Sequence, residues 1–224
     1  MRIIDCTLTL RRGMRGVDWQ TARTMDKDGW NARTLQLYSH CGTHMDSPLH
    51  FDAGDQTIDE IPIGDCVGPA WIADVGHIAE RTPITVADLG PVADHVTRGD
   101  ALILRTGWSR HVDDPDRYRD CFAPLSEALA QWIVDRGVRM VGVEPPSVAD
   151  VNDLPSVTRI HKILLGAGVI IVEGLTNLDQ IDASRCTFAA LPLKVHRGDG
   201  APCRAVAILD ADGASHGDGG EEVK

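Results

Sequence analysis

Apolar and polar positions change rhythm several times along the chain, and each change marks an element. Residues 1–10 alternate and become β-branched, which reads as an opening strand. The rhythm is lost from Arg11 to Asn31, a polar and irregular stretch with Gly13, Gly16 and Gly29 that carries Trp19 and Trp30. A structureless loop of that length is uncommon in a compact domain unless it serves a site, so a substrate lid is expected there. Alternation resumes at Thr34-Leu35-Gln36-Leu37-Tyr38, a half-buried strand that delivers His40 at its end. Ala70–Val75 and Ala101–Thr106 are continuous apolar runs and read as buried strands, with a short helical turn at Thr85–Leu89 between them. Ser109–Phe122, rich in Asp, Arg and His, is expected to be an exposed loop.

Farther on, Leu125, Ala128, Leu129, Trp132 and Ile133 fall at helical spacing, and Gly137 stands where a C-terminal cap belongs. Val138–Val143 follows as a strand. Strand, helix, strand in this order is a βαβ-like unit and predicts an α/β protein with at least one parallel pair. Glu144-Pro145-Pro146-Ser147 then makes a rigid turn just past a strand's C-terminal end, a frequent place for ligand groups. Ser156–Gly166 reads as a short helix containing His161, and Val169–Val172 as a buried strand with Glu173 at its end. A carboxylate there is costly to bury without a partner. A metal supplies one; a helix cap or a solvent-facing Glu is the alternative. Thr187–Val195 and Arg204–Leu209 read as adjacent antiparallel closing strands. The Gly- and Asp-rich stretch 210–224 is expected to be a disordered tail, leaving residues 1–209 as one domain.

Composition narrows the function. The chain has 224 residues, 43% hydrophobic and 25% charged, as in a soluble globular domain, and no apolar run approaches a membrane span. The formal charge of -11 repels nucleic-acid phosphates. An acidic Asp5 interrupts what a signal peptide would continue, so a cytoplasmic location is expected. Cys6, Cys41, Cys66, Cys121, Cys186 and Cys203 are scattered, without a C-x-x-C pair, and read as mostly buried thiols. Cys41 is set apart only by lying inside the segment described next.

Between His40 and His50 the chain places three of its nine histidines and an aspartate, as H-x-x-x-H-x-D-x-x-x-H, around a glycine and a proline that discourage one regular helix. A lone histidine is more often a surface or hydrogen-bonded core residue. Imidazoles and a carboxylate clustered on bent backbone are instead the donor set of zinc, manganese or iron. Such a site lowers the pKa of bound water from 15.7 to about 7 in favourable cases and polarises a carbonyl. His50 is then placed either to take the water's proton and hand it to a departing nitrogen, or to serve as a plain metal ligand.

The segment His40–Phe51 resembles the H-x-G-T-H-x-D-x-P-x-H motif of the putative cyclase family, which includes bacterial kynurenine formamidases and isatin hydrolases. Gly142–Ser147 is similar to the family's G-x-D-x-P-S segment, His161 and Glu173 to its second ligand pair, and Leu191-Pro192-Leu193 to its A-L-P-L strand. The resemblance runs from about residue 1 to 209. It implies a mixed β-sheet core with flanking helices, of swivelling β/α type, in a single domain. It also implies that His40, His44 and Asp46 hold one divalent ion, zinc or manganese, that Asp46 bridges to a second held by His161 and Glu173, and that His50 is the acid/base. Two segments depart from the kynurenine formamidases: Gly16-Val17-Asp18-Trp19-Gln20 replaces a P-V-W-P-G-D-like segment, and Glu144 stands where Asp is usual.

The expected activity is metal-dependent hydrolysis of a formamide or cyclic amide, with metal-bound hydroxide attacking the carbonyl. A lactone hydrolase or cyclase is the alternative chemistry, and a metal-containing binding protein without turnover the alternative class. Trp19, Trp30 and Phe51 are candidates for an apolar wall against a small planar substrate, ordinary packing being the other reading of each. The resemblance also suggests a homodimer or homotetramer, while charge and hydropathy argue against nucleic acid and membrane as partners.

Overall fold

The computed structural model describes residues 1–209; the expected tail at 210–224 lies outside them. Among the described residues there are ten strands: β1 (Arg2–Asp5), β2 (Val17–Arg23), β3 (Ala32–Leu37), β4 (His44–Asp46), β5 (Val67–Asp74), β6 (Ala101–Arg105), β7 (Met140–Val143), β8 (Ile170–Glu173), β9 (Arg185–Pro192) and β10 (Gly200–Leu209). The helices are α1 (Met25–Asp28), α2 (Val92–His95), α3 (Pro115–Asp120), α4 (Glu127–Asp135) and α5 (Leu154–Gly166).

Eight strands pair in the order β1-β10-β4-β8-β7-β6-β5-β9, and β9 pairs again with β10. That last pairing closes a barrel-like ring from which only β1 is left outside. The βαβ reading holds: β5–β6, β6–β7 and β7–β8 are parallel pairs, whereas β4, β9 and β10 pair antiparallel with their partners. Parallel strands must be covered on both faces, which is why β6, β7 and β8 are almost wholly buried and read as apolar runs. One core, with Met45, Ile103, Met140, Val172 and Phe188, is distinct from a second that packs α4 and α5 against Leu102, Leu104, Val141 and Ile171.

Helix α4 starts at Ser126, whose side chain accepts from the Leu129 N–H, and Gly137 past its end takes the left-handed φ of 68° that terminates it. Helix α5 starts at Asp153, whose carboxylate accepts from the Ser156 N–H, and its buried face is Val157, Ile160, His161, Leu164 and Leu165. His161 is therefore carried on the core side of a helix.

Three expectations need correction. The stretch 11–31 is no structureless lid: Val17–Arg23 is a strand paired antiparallel with β3, followed by α1. Strand β2 was hidden because it buries only Val17, so no core-facing stripe marks it; its partner β3 is the strand expected at 34–38, mostly exposed rather than half-buried. The stretch 109–122 contains α3 and a 3-10 turn at Trp108–His111, pinned by the buried Trp108, whose indole N–H donates to Tyr118 O at 2.8 Å. The opening strand stops at Asp5, with an isolated bridge from Thr7 to Leu175 beyond it.

Candidate metal centre and its surroundings

Strand β4 is three residues long and wholly buried, and it delivers His44 and Asp46 into the ring's interior edge. Its register places His44 opposite Glu173 on β8 and Asp46 opposite Gly200 on β10. The glycine in Gly42 is what lets Leu10 close over the preceding turn, since a Cβ there lies 2.5 Å from a Leu10 methyl. After Asp46 the chain makes a 3-10 turn, Pro48–Phe51, that brings His50 back over the site.

His44 Nε2 lies 3.2 Å from Glu173 Oε2 and 3.7 Å from Asp46 Oδ1, and His161 Nε2 lies 3.5 Å from Glu173 Oε1 and 3.8 Å from Asp46 Oδ2. Both rings turn Nδ1 to a backbone carbonyl, His44 to Gly42 at 3.0 Å and His161 to Val157 at 2.8 Å. A carbonyl only accepts, so each Nδ1 carries the proton and each Nε2 presents a lone pair. Two imidazole lone pairs and two carboxylates thus converge in a space where all four side chains are at most 4% exposed. Acceptors facing acceptors under burial require a positive charge among them. Asp46 Oδ2 is moreover buried without a hydrogen-bond partner. The donor set fits a divalent cation, with His44, Asp46 and Glu173 offering ligand atoms all within 4.8 Å of one another.

The same demand for positive charge sets the pKa directions. Burial opposes charge on His44 and on His161, but the Glu173 carboxylate outweighs it and raises both. For Asp46, burial is outweighed by the His40 hydrogen bond and the surrounding imidazoles, and its carboxyl is held far below the usual range. Glu173 also accepts the Val148 N–H at 2.8 Å, so its buried carboxylate is satisfied from behind by the turn after β7. It is neither a helix cap nor a solvent-facing residue.

His40 and His50 form the outer layer. Their rings stack at 3.7 Å, and His40 Nδ1 lies 2.7 Å from Asp46 Oδ1. His40, Asp46 and His50 offer a second set of ligand atoms within 4.8 Å, so Asp46 is common to both groups. His50 is the most open of the five ring and acid groups around Asp46, with its side chain 23% exposed against 7% for His40. Burial holds its pKa below the usual histidine value, which keeps the imidazole neutral at pH 7.

Phe51 joins the site, stacked on His161 at 4.2 Å and edge-on to His50 at 4.4 Å. Trp19 and Trp30 behave otherwise. Trp19 on β2 is covered by the Arg33 guanidinium at 5.1 Å, Trp30 is 57% exposed, and neither ring stacks on a site imidazole among the described residues. Asp18 and Arg12 pair with each other on the surface at 2.7 Å. Cys41 is buried, its thiol pushed up by burial, and it belongs to neither ligand group. Five of the six cysteines are buried as expected; Cys121 is half-buried.

Two acids were not read as site parts from sequence. Glu144 is buried and accepts from Thr106 Oγ at 3.1 Å, Ser109 Oγ at 2.7 Å and the Gly107 N–H, which ties the ends of β6 and β7 together. Asp199 lies 3.0 Å from His40 Nε2 and 3.8 Å from His50 Nδ1. Its only local signal is a glycine on each side, Gly198 and Gly200, at the start of β10.

A family model described as "Putative cyclase" matches residues 4–150. A kynurenine formamidase of Salinibacter ruber is 35% identical over 192 residues, 84% of each chain. Among solved structures, a "predicted metal-dependent hydrolase" from Bacillus stearothermophilus has a TM-score of 0.74 at 27% identity, over 92% of this chain and 97% of that one. Isatin hydrolase A from Labrenzia aggregata has a TM-score of 0.83 at 24% identity, over 92% and 93% of the two chains, a likeness of fold.

Proposed function

Because the chain belongs to the putative cyclase family, we propose that it is a metal-dependent hydrolase whose substrate is a small aryl formamide, cleaved at its non-peptide carbon–nitrogen bond. The observation that supports the chemistry is the buried convergence of His44, Asp46, His161 and Glu173 beside the more open His50. The kynurenine formamidase relative, similar over most of both chains, supports a linear formamide over a cyclic amide.

The ion we assign is zinc or manganese, one or two per chain, held by His44, Asp46, Glu173 and His161 with His40 on the Asp46 side. Such an ion supplies positive charge that polarises an amide carbonyl and acidifies water. His50 supplies the proton traffic. Neutral at pH 7, it takes a proton from the attacking water and returns it to the nitrogen, without which an amine leaves poorly. Phe51, packed against both His50 and His161, gives a planar substrate an apolar surface beside the reacting atoms.

We also infer a cytoplasmic homodimer or homotetramer. Among the described residues no helix is long and apolar enough to cross a membrane. The β2–β3 sheet supports association: an isolated two-stranded sheet is marginal in water, and this one, with its flanks, exposes Met25, Trp30, Leu35 and Tyr38.

The test is metal analysis of the purified protein together with hydrolysis of N-formylkynurenine and isatin before and after chelation. Bound zinc or manganese and chelator-sensitive turnover of the formamide support the proposal. Turnover of isatin alone moves the substrate to cyclic amides, and metal without turnover of either moves it to lactones or to a binding role. Absence of bound metal after loading overturns it.

A further inference from the structure

The Asp199 carboxylate lies against the two stacked imidazoles. One of its oxygens is 3.0 Å from His40 Nε2 and 3.8 Å from His50 Nδ1, and Ser39 Oγ donates to the same oxygen at 3.4 Å. The backbone under it is fixed. Asp199 O accepts from both the Ser47 N–H at 3.0 Å and Ser47 Oγ at 2.9 Å, and the next residue, Gly200, is the register partner of Asp46. Gly200 is also what lets the His40 ring lie there, because a Cβ at that position comes within 2.6 Å of His40 Cε1.

Each imidazole has one nitrogen near Asp199. His40 turns Nδ1 to Asp46 at 2.7 Å and Nε2 to Asp199 at 3.0 Å, so once Nδ1 gives its lone pair to a cation the one ring proton is on Nε2, facing Asp199. A neutral histidine has only one ring proton, and a carboxylate that claims it decides which nitrogen keeps a lone pair. We propose that Asp199 is a positioning residue for the hydrolysis: it fixes His40 as the Nε2–H tautomer, with Nδ1 offered to the metal centre, and orients the His50 ring through its Nδ1 edge, leaving Nε2 for the proton traffic. This rests on the hydrolase reading for its kinetic consequence but not for the tautomer. Asp199 touches no reacting atom; it acts through the two rings.

The test uses the full chain and the variants Asp199→Asn, Asp199→Ala and Asp199→Glu. Long-range 1H–15N spectra of the zinc-loaded protein at neutral pH read the tautomer of each ring directly, and chelator competition with zinc reads affinity. We expect His40 Nε2–H in the parent, a mixed tautomer in Asp199→Asn, and a 10- to 100-fold loss of zinc affinity in Asp199→Ala, the range typical of residues that orient metal-binding imidazoles. In the zinc-loaded enzyme kcat should fall with KM nearly unchanged, and Asp199→Glu should recover part of both losses.

A parent protein with His40 as Nδ1–H overturns the proposal without any variant having to fold. So does an Asp199→Ala protein with parent-like zinc affinity and kcat. If the parent turns over no formamide, cyclic amide or lactone while zinc affinity and tautomer still depend on Asp199, the hydrolase reading fails and the positioning role stands.

Discussion

His44 and Glu173 are register partners across β4 and β8, and their side chains meet at 3.2 Å, Nε2 to Oε2. A motif histidine and an acid far away in sequence are thus joined by one rung of an antiparallel ladder. Each is anchored from behind by backbone, His44 by Gly42 O and Glu173 by the Val148 N–H. Neither can swing away without breaking a buried hydrogen bond, which is the preorganisation a metal site needs.

Glu173→Gln keeps the acceptor for Val148 and removes the charge. We expect zinc affinity to fall at least 10- to 100-fold while the fold is retained. Metal content after dialysis against a chelator, with a thermal melt as the control, measures it. Parent-like stoichiometry and affinity would remove Glu173 from the ligand set.

His50→Ala should leave bound metal nearly unchanged and lower kcat by about 10²- to 10⁴-fold, the usual worth of a general acid–base group. Metal analysis and steady-state kinetics on the same preparation decide the matter. Loss of metal in this variant would place His50 among the ligands, through the grouping it makes with His40 and Asp46.

The His40–Asp46 pair makes stability of the chelated protein pH-dependent. Burial opposes charge on His40, but the hydrogen bond to Asp46 dominates and raises its pKa to about 9, above the roughly 6.5 of an unfolded chain. A raised histidine stabilises fully below about pH 6.5, and the contribution is lost as pH climbs through about 9. Urea midpoints of chelated protein should therefore fall between pH 6.5 and 9.5, by on the order of 3 kcal/mol at most. The same proton must leave for a cation to bind, so metal affinity should rise over that range. His40→Gln should flatten the first trend; equal slopes in the two proteins would mean that His40 is not the group responsible.

Gly200→Ala places a methyl 2.6 Å from His40 Cε1 and 2.8 Å from Met45 O. The carbonyl belongs to the β4 ladder and cannot yield, so the ring must. We expect a loss of about 1–3 kcal/mol of stability and weakened metal binding together. Chemical denaturation and metal titration of one variant test both, and a shift in neither would show that the turn relaxes.

Glu144→Ala strands the donors of Thr106, Gly107 and Ser109 in a buried space. The expected cost is about 2–4 kcal/mol, or roughly 5–15 °C in Tm, with Glu144→Asp intermediate. A Tm unchanged in the Ala variant would mean that other acceptors take over.

Most strands were legible: β6, β7 and β8, buried on both faces, carry apolar runs, the half-buried β5 carries another, β1, β3, β9 and β10 also read as strands, and α4 and α5 carry a 3.6-residue stripe ended by glycine. The site was legible in part for a different reason, since His40, His44, Asp46 and His50 lie within a span short enough to show as a cluster. His161 and Glu173 were placed by resemblance. What stayed hidden depends on contacts local patterns do not encode. Strand β4 is too short to alternate, β2 has no buried face to announce it, and Asp199 reaches His40 only because β10 pairs with β4.

The ring's closure also has a consequence for synthesis on the ribosome. Strand β4 gains its β10 neighbour, and His40 its Asp199, only when residues 199–202 have emerged. A nascent chain that stops short of them already displays His40, His44, Asp46, His161 and Glu173, yet lacks the strand that holds the first three in place. Metal capture in its final geometry therefore waits until residues 199–202 have emerged, well after the ligands themselves.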